Sequence, residues 1–221
     1  MAARPHTRGR KDDTIAAVKA EPVDASALGM PALLQAVRAC TLCAVHLEHG
    51  PRPVLRASAT ARILVVGQAP GRRVHASGVP FDDPSGDRLR QWMGVDKGVF
   101  YDEALIALVP MGFCYPGTGK SGDLAPRPEC APQWRHRLLA AMPRTELTLV
   151  IGQYAKEWHL PGSAGQNLTQ TVRAWRDHGP RVLPLPHPSP RNNIWLKSNP
   201  WFTDEVVPEL QRRVRALLQT A

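Results

Sequence analysis

"RILVVG", residues 62–67, and "LTLVIG", residues 147–152, decide the fold. Each is a near-continuous run of leucine and β-branched residues that ends in glycine. A strand with one wet face alternates apolar and polar side chains, so a run with no polar interruption belongs to a strand covered on both faces. "LIALVPM" (105–111) and "RVLPLP" (181–186) are two further runs of this kind. Between them the pattern predicts helices over about 85–94, 130–141 and 153–159. A last helix is expected over 203–219, where Thr203, Asp204 and Glu205 offer a cap and an acidic first turn. Val206, Val207, Leu210, Val214, Leu217 and Leu218 would form its apolar face. Strands alternating with helices predict an α/β protein, a three-layer α/β/α sandwich around a central, mainly parallel four-stranded sheet.

That architecture says where to look for function, because open α/β sheets bind ligands beyond the carboxyl ends of their strands. The first strand runs into "GQAPGRRVHASGVPF" (67–81), the second into "MGFCYPG" (111–117) and the fourth into "HPSPRNN" (187–193). In the last of these, Pro186, Pro188 and Pro190 surround His187. Proline fixes φ and removes a backbone donor, so the imidazole sits in a stiff, non-helical mount. A surface turn has no need of that rigidity; a loop that must hold a side chain still does.

Composition narrows the partners. Twenty-eight Lys and Arg against 19 Asp and Glu give a net charge of +9 over 221 residues. A basic excess of this size favours polyanions, nucleic acid first. The length suits one domain, 31–221, preceded by a basic, Ala- and Pro-rich arm, 1–30, in which Arg4, Arg8, Arg10 and Lys11 carry the charge. No apolar run approaches a membrane span and the opening residues lack a signal-peptide core. A monomeric cytoplasmic protein, nucleoid-associated in a bacterium, is expected. No P-loop or G-x-G-x-x-G fingerprint is present, which argues against the usual nucleotide folds. His159 and His178 have no motif around them and are expected at the surface, and the six tryptophans are expected to pack rather than bind.

Four cysteines remain: Cys40 and Cys43 in "CTLC", then Cys114 and Cys130. They permit two disulfides, a Cys₄ zinc site or an iron–sulfur cluster, and without a secretion signal the disulfides are the weakest of the three.

Taken in order, "CTLC" (40–43), "VVGQAPG" (65–71), "SGVPFDDPSG" (77–86), the Cys114–Cys130 pair and "HPSPRN" (187–192) resemble the uracil-DNA glycosylase superfamily. The resemblance is greatest to its iron–sulfur-containing family 4 branch, as a divergent subgroup, and covers about residues 38–195. It implies a DNA glycosylase of base excision repair acting on uracil, and on other deaminated bases, in DNA. It implies a [4Fe-4S] cluster on Cys40, Cys43, Cys114 and Cys130, with zinc as the alternative metal. It makes His187 the donor to the leaving base and Phe81 the ring that stacks on it. Gly67, Ala69, Met111 and Gly112 would approach the base, and Ser85, Gly86, Ser189, Arg191 and Asn192 the DNA.

The sequence also departs from that family. Gln68, the second catalytic candidate beside His187, stands where the family carries Glu, and Arg72, Arg73 and His75 stand where it places an acid. Pro110 stands where an Asn reads the base edge. Asp82 and Asp83 are the nearest carboxylates for orienting water, and backbone groups near Met111 and Gly112 are expected to replace the missing amide. These departures leave two other classes open: a non-catalytic module binding DNA or abasic sites, and a small-molecule hydrolase with a zinc site.

Overall fold

The computed structural model describes residues 29–120 and 122–219. Its elements, in chain order, are α1 (Met30–Arg38), β1 (Ile63–Val66), α2 (Arg72–Ser77), α3 (Pro84–Met93), α4 (Lys97–Phe100) and β2 (Ile106–Leu108). A short hairpin of β3 (Thr118–Gly119) and β4 (Gly122–Asp123) follows, then α5 (Cys130–Ala140), β5 (Leu147–Ile151), α6 (Gly152–His159) and α7 (Leu168–Arg173). The chain closes with β6 (Val182–Leu185), α8 (Asn193–Ser198) and α9 (Val207–Gln219).

The main sheet has the order β2-β1-β5-β6 with every pair parallel. Both neighbours of β1 pair in register, Ile63 with Ile106 on one side and with Leu147 on the other. All four residues of β1 are buried, and successive side chains divide between the two faces. Leu64 and Val66 face a core shared with Leu33, Leu34 and Val37 of α1 and Trp134 and Leu138 of α5. Ile63 and Val65 face a second core built from Leu89 and Met93 of α3, Phe100 of α4, Val172 of α7, and Leu210 and Val214 of α9. Two cores on one sheet make the three-layer sandwich. Pro184 is tolerated inside a strand because β6 is an edge strand, where one side needs no donor.

Several boundaries differ from the sequence expectation. Met30 is buried and opens α1 behind Gly29, so the folded part begins before residue 31; residues 1–28 of the basic arm lie outside the described residues. The last helix begins a turn earlier than Thr203. The chain is already helical at Pro200 and passes through a π-turn over Phe202–Val206 into α9. Thr203 therefore caps nothing: its hydroxyl donates back to the Pro200 carbonyl. Of the tryptophans, Trp175 is buried, and Trp195 and Trp201 pack edge-on against Phe202, as expected.

Candidate active site

The strand order turns back on itself at β1, with β2 on one side and β5 on the other. In parallel sheets this switch is where the carboxyl-end loops part and leave a crevice. A cleft of about 450 Å³ opens there. Gly67, Gln68 and Ala69 after β1, Phe81 and Ser85 at the head of α3, and His187, Ser189, Arg191 and Asn192 after β6 all line it.

His187 is fixed from three directions. Its Nδ1 accepts a hydrogen bond from the Ser189 backbone N–H at 3.1 Å. The side-chain amide of Asn192 donates to its carbonyl at 2.7 Å. Arg88 of α3 reaches across to donate to the Ser189 carbonyl at 3.1 Å and to Asn193 Oδ1 at 2.8 Å. Burial holds the imidazole pKa below its ordinary value, although Asp83 and Asp123 pull it the other way. A neutral ring whose Nδ1 accepts must carry its proton on Nε2. Nε2 has no protein partner among the described residues, so a fixed N–H donor is available to the cleft.

Phe81 is held under strain. Its φ of 55° is the one positive value among the described non-glycine residues, a conformation that a bulky residue adopts only when its surroundings impose it. Those surroundings are visible. Tyr101 donates its hydroxyl to the Pro80 carbonyl at 3.0 Å, and the Phe81 ring meets Phe100 edge-on at 6.0 Å. The Phe81 carbonyl presses on Gly86 so closely that a Cβ there would stand 1.8 Å from it. The ring end lies over Gly67, where a Cβ would be 3.2 Å from Cζ. Glycine at 67 and 86 thus lets an aromatic ring form one wall of the cleft.

Some expected contacts are spent elsewhere. Gly86 is the third residue of α3, and its N–H donates to the Asp83 capping carboxylate at 2.8 Å, which removes it as a free anion donor. The N–H groups of Met111 and Gly112 donate to the carbonyls of Gly67 and Gln68 at 2.8 and 2.9 Å. Met111 lies in the core and Gly112 faces a different cavity, so neither offers a backbone donor to the cleft. Gln68 lines the cleft, but its amide donates to the Leu124 carbonyl at 3.0 Å and ties down the β3–β4 hairpin. Asp82 is exposed and outside the lining. Asn193 lies outside the cleft lining, where its side-chain oxygen braces Arg88.

The residues that sequence reasoning missed are Arg88 and Asp123. Arg88 could have been found from helical phase, since it follows Ser85 by three positions and shares its face. Asp123 reaches the cleft only because the hairpin folds over it, and "TGKSGD" carries no apolar pattern that announces a strand.

Behind the cleft, Cys40, Cys43, Cys114 and Cys130 line one small cavity together with Leu47, Pro53, Phe113 and Trp134. All four are free thiols. Burial pushes the pKa of Cys114 up to about 11 and that of Cys130 up to about 12, and raises Cys43 as well. The Trp134 indole N–H donates to Cys40 Sγ at 3.4 Å. Soft sulfur donors gathered in an apolar pocket, with a hydrogen bond to sulfur, suit a thiolate-bound metal that would supply the compensating charge. Among the described residues no group of three or more His, Cys, Asp or Glu forms a ready ligand set for a metal ion.

Arg135 links this cavity to the cleft. It is fully buried, yet no carboxylate among the described residues meets it. Nη2 donates to the carbonyls of Val109 and Pro110, and Nη1 lies 3.2 Å from His159 Nε2. Burial, with the nearby Arg135 charge second, lowers the His159 pKa to about 4. His159 is therefore a half-buried partner of Arg135, not the surface histidine expected. His178 is likewise half-buried.

No helix among the described residues is long and apolar enough to cross a membrane. The family model of the uracil DNA glycosylase superfamily matches residues 56–211, which take in the whole main sheet and every loop that lines the cleft except Val54. A match over well more than half of the chain, on the residues that build the site, means that the protein belongs to the uracil DNA glycosylase superfamily.

Proposed function

We propose that this cleft hydrolyses the N-glycosidic bond of uracil, and of at least one other deaminated base, in DNA after the nucleotide has been turned out of the helix. The observation that carries the reading is the neutral His187, fixed through Nδ1 and presenting Nε2–H to the cleft. Breaking the bond leaves negative charge on the base. A donor already aimed at that charge lowers the barrier without reorganising, an effect of about 3 kcal/mol for one group. Phe81 supplies the stacking wall for the extruded base. Ser189 and Arg191, at the cleft edge, meet the backbone on either side of it. The chain's net charge of +9 favours that encounter.

Base choice in this reading rests on shape. Pro110 lines the cleft and has neither a side-chain amide nor a backbone N–H, so no buried amide would be left unpaired by the wrong base. Looser selection than in an amide-reading relative follows.

The same proposal gives Cys40, Cys43, Cys114 and Cys130 a [4Fe-4S] cluster, as the family 4 branch carries. Its part is structural: it would hold the loop before β1 to the segment after β2. The supports are the shared apolar cavity and the four free thiols. Protein prepared without oxygen should contain iron and acid-labile sulfide; one zinc per chain and no colour would assign the thiols to zinc.

The activity is tested with oligonucleotides that contain uracil, hypoxanthine or xanthine, followed by alkali. Strand scission at the modified position is expected, best where the base is mismatched or single-stranded and extrusion is cheaper. Tight binding with no scission on any of them would make the protein a DNA-binding module instead.

A further inference from the structure

Hydrolysis needs a second group besides the donor to the base, one that orients water on the sugar side and accepts its proton. Three carboxylates come near. Asp82 is exposed outside the cleft lining. Asp83 lines the cleft but is committed to capping α3 through the Gly86 N–H. Asp123 lines the cleft too, and its carboxylate has no hydrogen-bond or ion-pair partner among the described residues.

The placement of Asp123 is built rather than incidental. The β3–β4 hairpin that carries it has only two residues in each strand, too little pairing to hold itself. It is pinned from outside at several points. Gln68 donates to the Leu124 carbonyl at 3.0 Å. Tyr115, fully buried, bonds its hydroxyl to that of Thr118. Arg191 lies so close over Gly122 that any Cβ there would collide with its guanidinium. Gly122 also has a φ of 139°, which side chains avoid. Under these constraints Asp123 Oδ2 comes against the loop after β1, 3.1 Å from where a Cβ on Gly71 would be. Its charge also reaches His187 and favours proton uptake there. A carboxylate free of partners thus shares one cleft with a fixed N–H donor.

We propose that Asp123 is the catalytic carboxylate that orients and deprotonates the attacking water, an assignment that rests on the glycosylase reading of the cleft. The water oxygen bonds to C1′ of the deoxyribose while the C1′–N bond breaks and leaves its electron pair on the base. The water's proton passes to Asp123, and the base anion, held by the His187 Nε2–H, is protonated from solvent as it departs. The negative charge of Asp123 also favours the positive charge that develops on the sugar. Gln68 and Pro110 then need do no chemistry: one secures the hairpin, the other shapes the wall.

The test is single-turnover base release from uracil-containing DNA at saturating enzyme, with Kd for DNA bearing an uncleavable analogue measured beside it. Asp123→Asn should slow release about 10²–10⁴-fold while the Kd stays within about threefold of wild type, and Asp123→Glu should recover part of the rate. Asp82→Asn, whose carboxylate is outside the cleft, should release base at the wild-type rate. An Asp123→Asn rate within threefold of wild type overturns the assignment, as does a variant that binds weakly but turns over normally once saturated. An equal loss in Asp82→Asn overturns it as well. Wild-type protein that releases no base from any modified DNA sinks the glycosylase reading itself, and so is told apart from the failure of Asp123 alone.

Discussion

Lowering the pH should loosen the wall of the cleft through a residue that never touches it. His159 Nε2 faces the Arg135 guanidinium at 3.2 Å and can only accept there, which requires a neutral ring. Its pKa is about 4 in the folded protein, against about 6.5 for a histidine in an unfolded chain. A pKa depressed by folding means that the unfolded state binds the proton first. The stabilisation is therefore complete above about pH 6.5 and is lost as the pH falls towards 4. Between pH 7.5 and 5.5 the loss is about 1.3 kcal/mol, rising to about 3 kcal/mol at the acid limit. At a urea slope of about 2 kcal/mol/M this shifts the midpoint by roughly 0.6 M. His75 and His187 are also depressed and add to the raw loss, so the comparison must be differential. His159→Gln keeps an acceptor for Arg135 but cannot titrate. Urea unfolding of wild type and variant at pH 7.5 and 5.5 should show the wild type losing about 1.3 kcal/mol more than the variant. Equal losses would mean that His159 is not the group that charges. Because Arg135 holds the Val109 and Pro110 carbonyls, the same protonation should also raise the Kd for extruded base in the wild type more than in the variant.

His187→Ala should keep the fold and DNA binding but reduce base release roughly 10²–10³-fold in single-turnover assays; an unchanged rate would leave the rigid mount without a chemical purpose. Gly86→Ala should force the Phe81 carbonyl out of its seat and cost about 2–3 kcal/mol, read as a Tm lower by roughly 5–10 °C. A wild-type melting curve would contradict the close approach at that position. Arg191→Ala should weaken binding alike to all DNA sequences and lower the slope of log K against log salt by about 1, whereas a sequence-dependent loss would make it a base contact.

The sheet was legible in the sequence for a physical reason: strands buried on both faces carry near-continuous apolar and β-branched runs, so "ILVV" and "LTLVI" announce themselves without any partner. The loops at their carboxyl ends were legible in turn, because a parallel sheet collects them on one edge. That is why His187, Phe81, Gln68 and Arg191 were found before the cleft was. What stayed hidden depends on contacts distant in sequence. Asp123 is brought in by Gln68, 55 positions earlier, and by Arg191, 68 positions later. The neutrality of His159, at the end of α6, comes from burial and then from Arg135 of α5, 24 positions earlier with β5 between them. α1 escaped notice because its apolar Leu33, Leu34 and Val37 follow an Ala- and Pro-rich stretch that masks the helical period. The Thr203 cap failed because a π-turn continues a helix that local cap chemistry would begin.

The cleft and the cysteine-lined cavity behind it are best understood as parts of one device. Cys114 and Cys130 bracket the segment that contains Tyr115, the β3–β4 hairpin and Asp123, and both thiols line the cysteine-bearing cavity behind the cleft. Between the brackets the chain buries little apolar surface: Tyr115 is fully buried, but Leu124 is 49% exposed and Ala125 is exposed as well. A loop of this length loses considerable freedom when its ends are fixed and its tip is held in one place, and it has no core of its own to offset that loss. Fixing both ends on the proposed cluster, together with Cys40 and Cys43, removes much of that freedom in advance. The pins from Gln68 and Arg191 then have only to select one position for the tip. On this argument the proposed metal would act on catalysis at a distance, by narrowing where Asp123 can be, and its removal should lower the rate of base release without moving the pKa of the His187 imidazole by more than the loss of one neighbouring carboxylate explains.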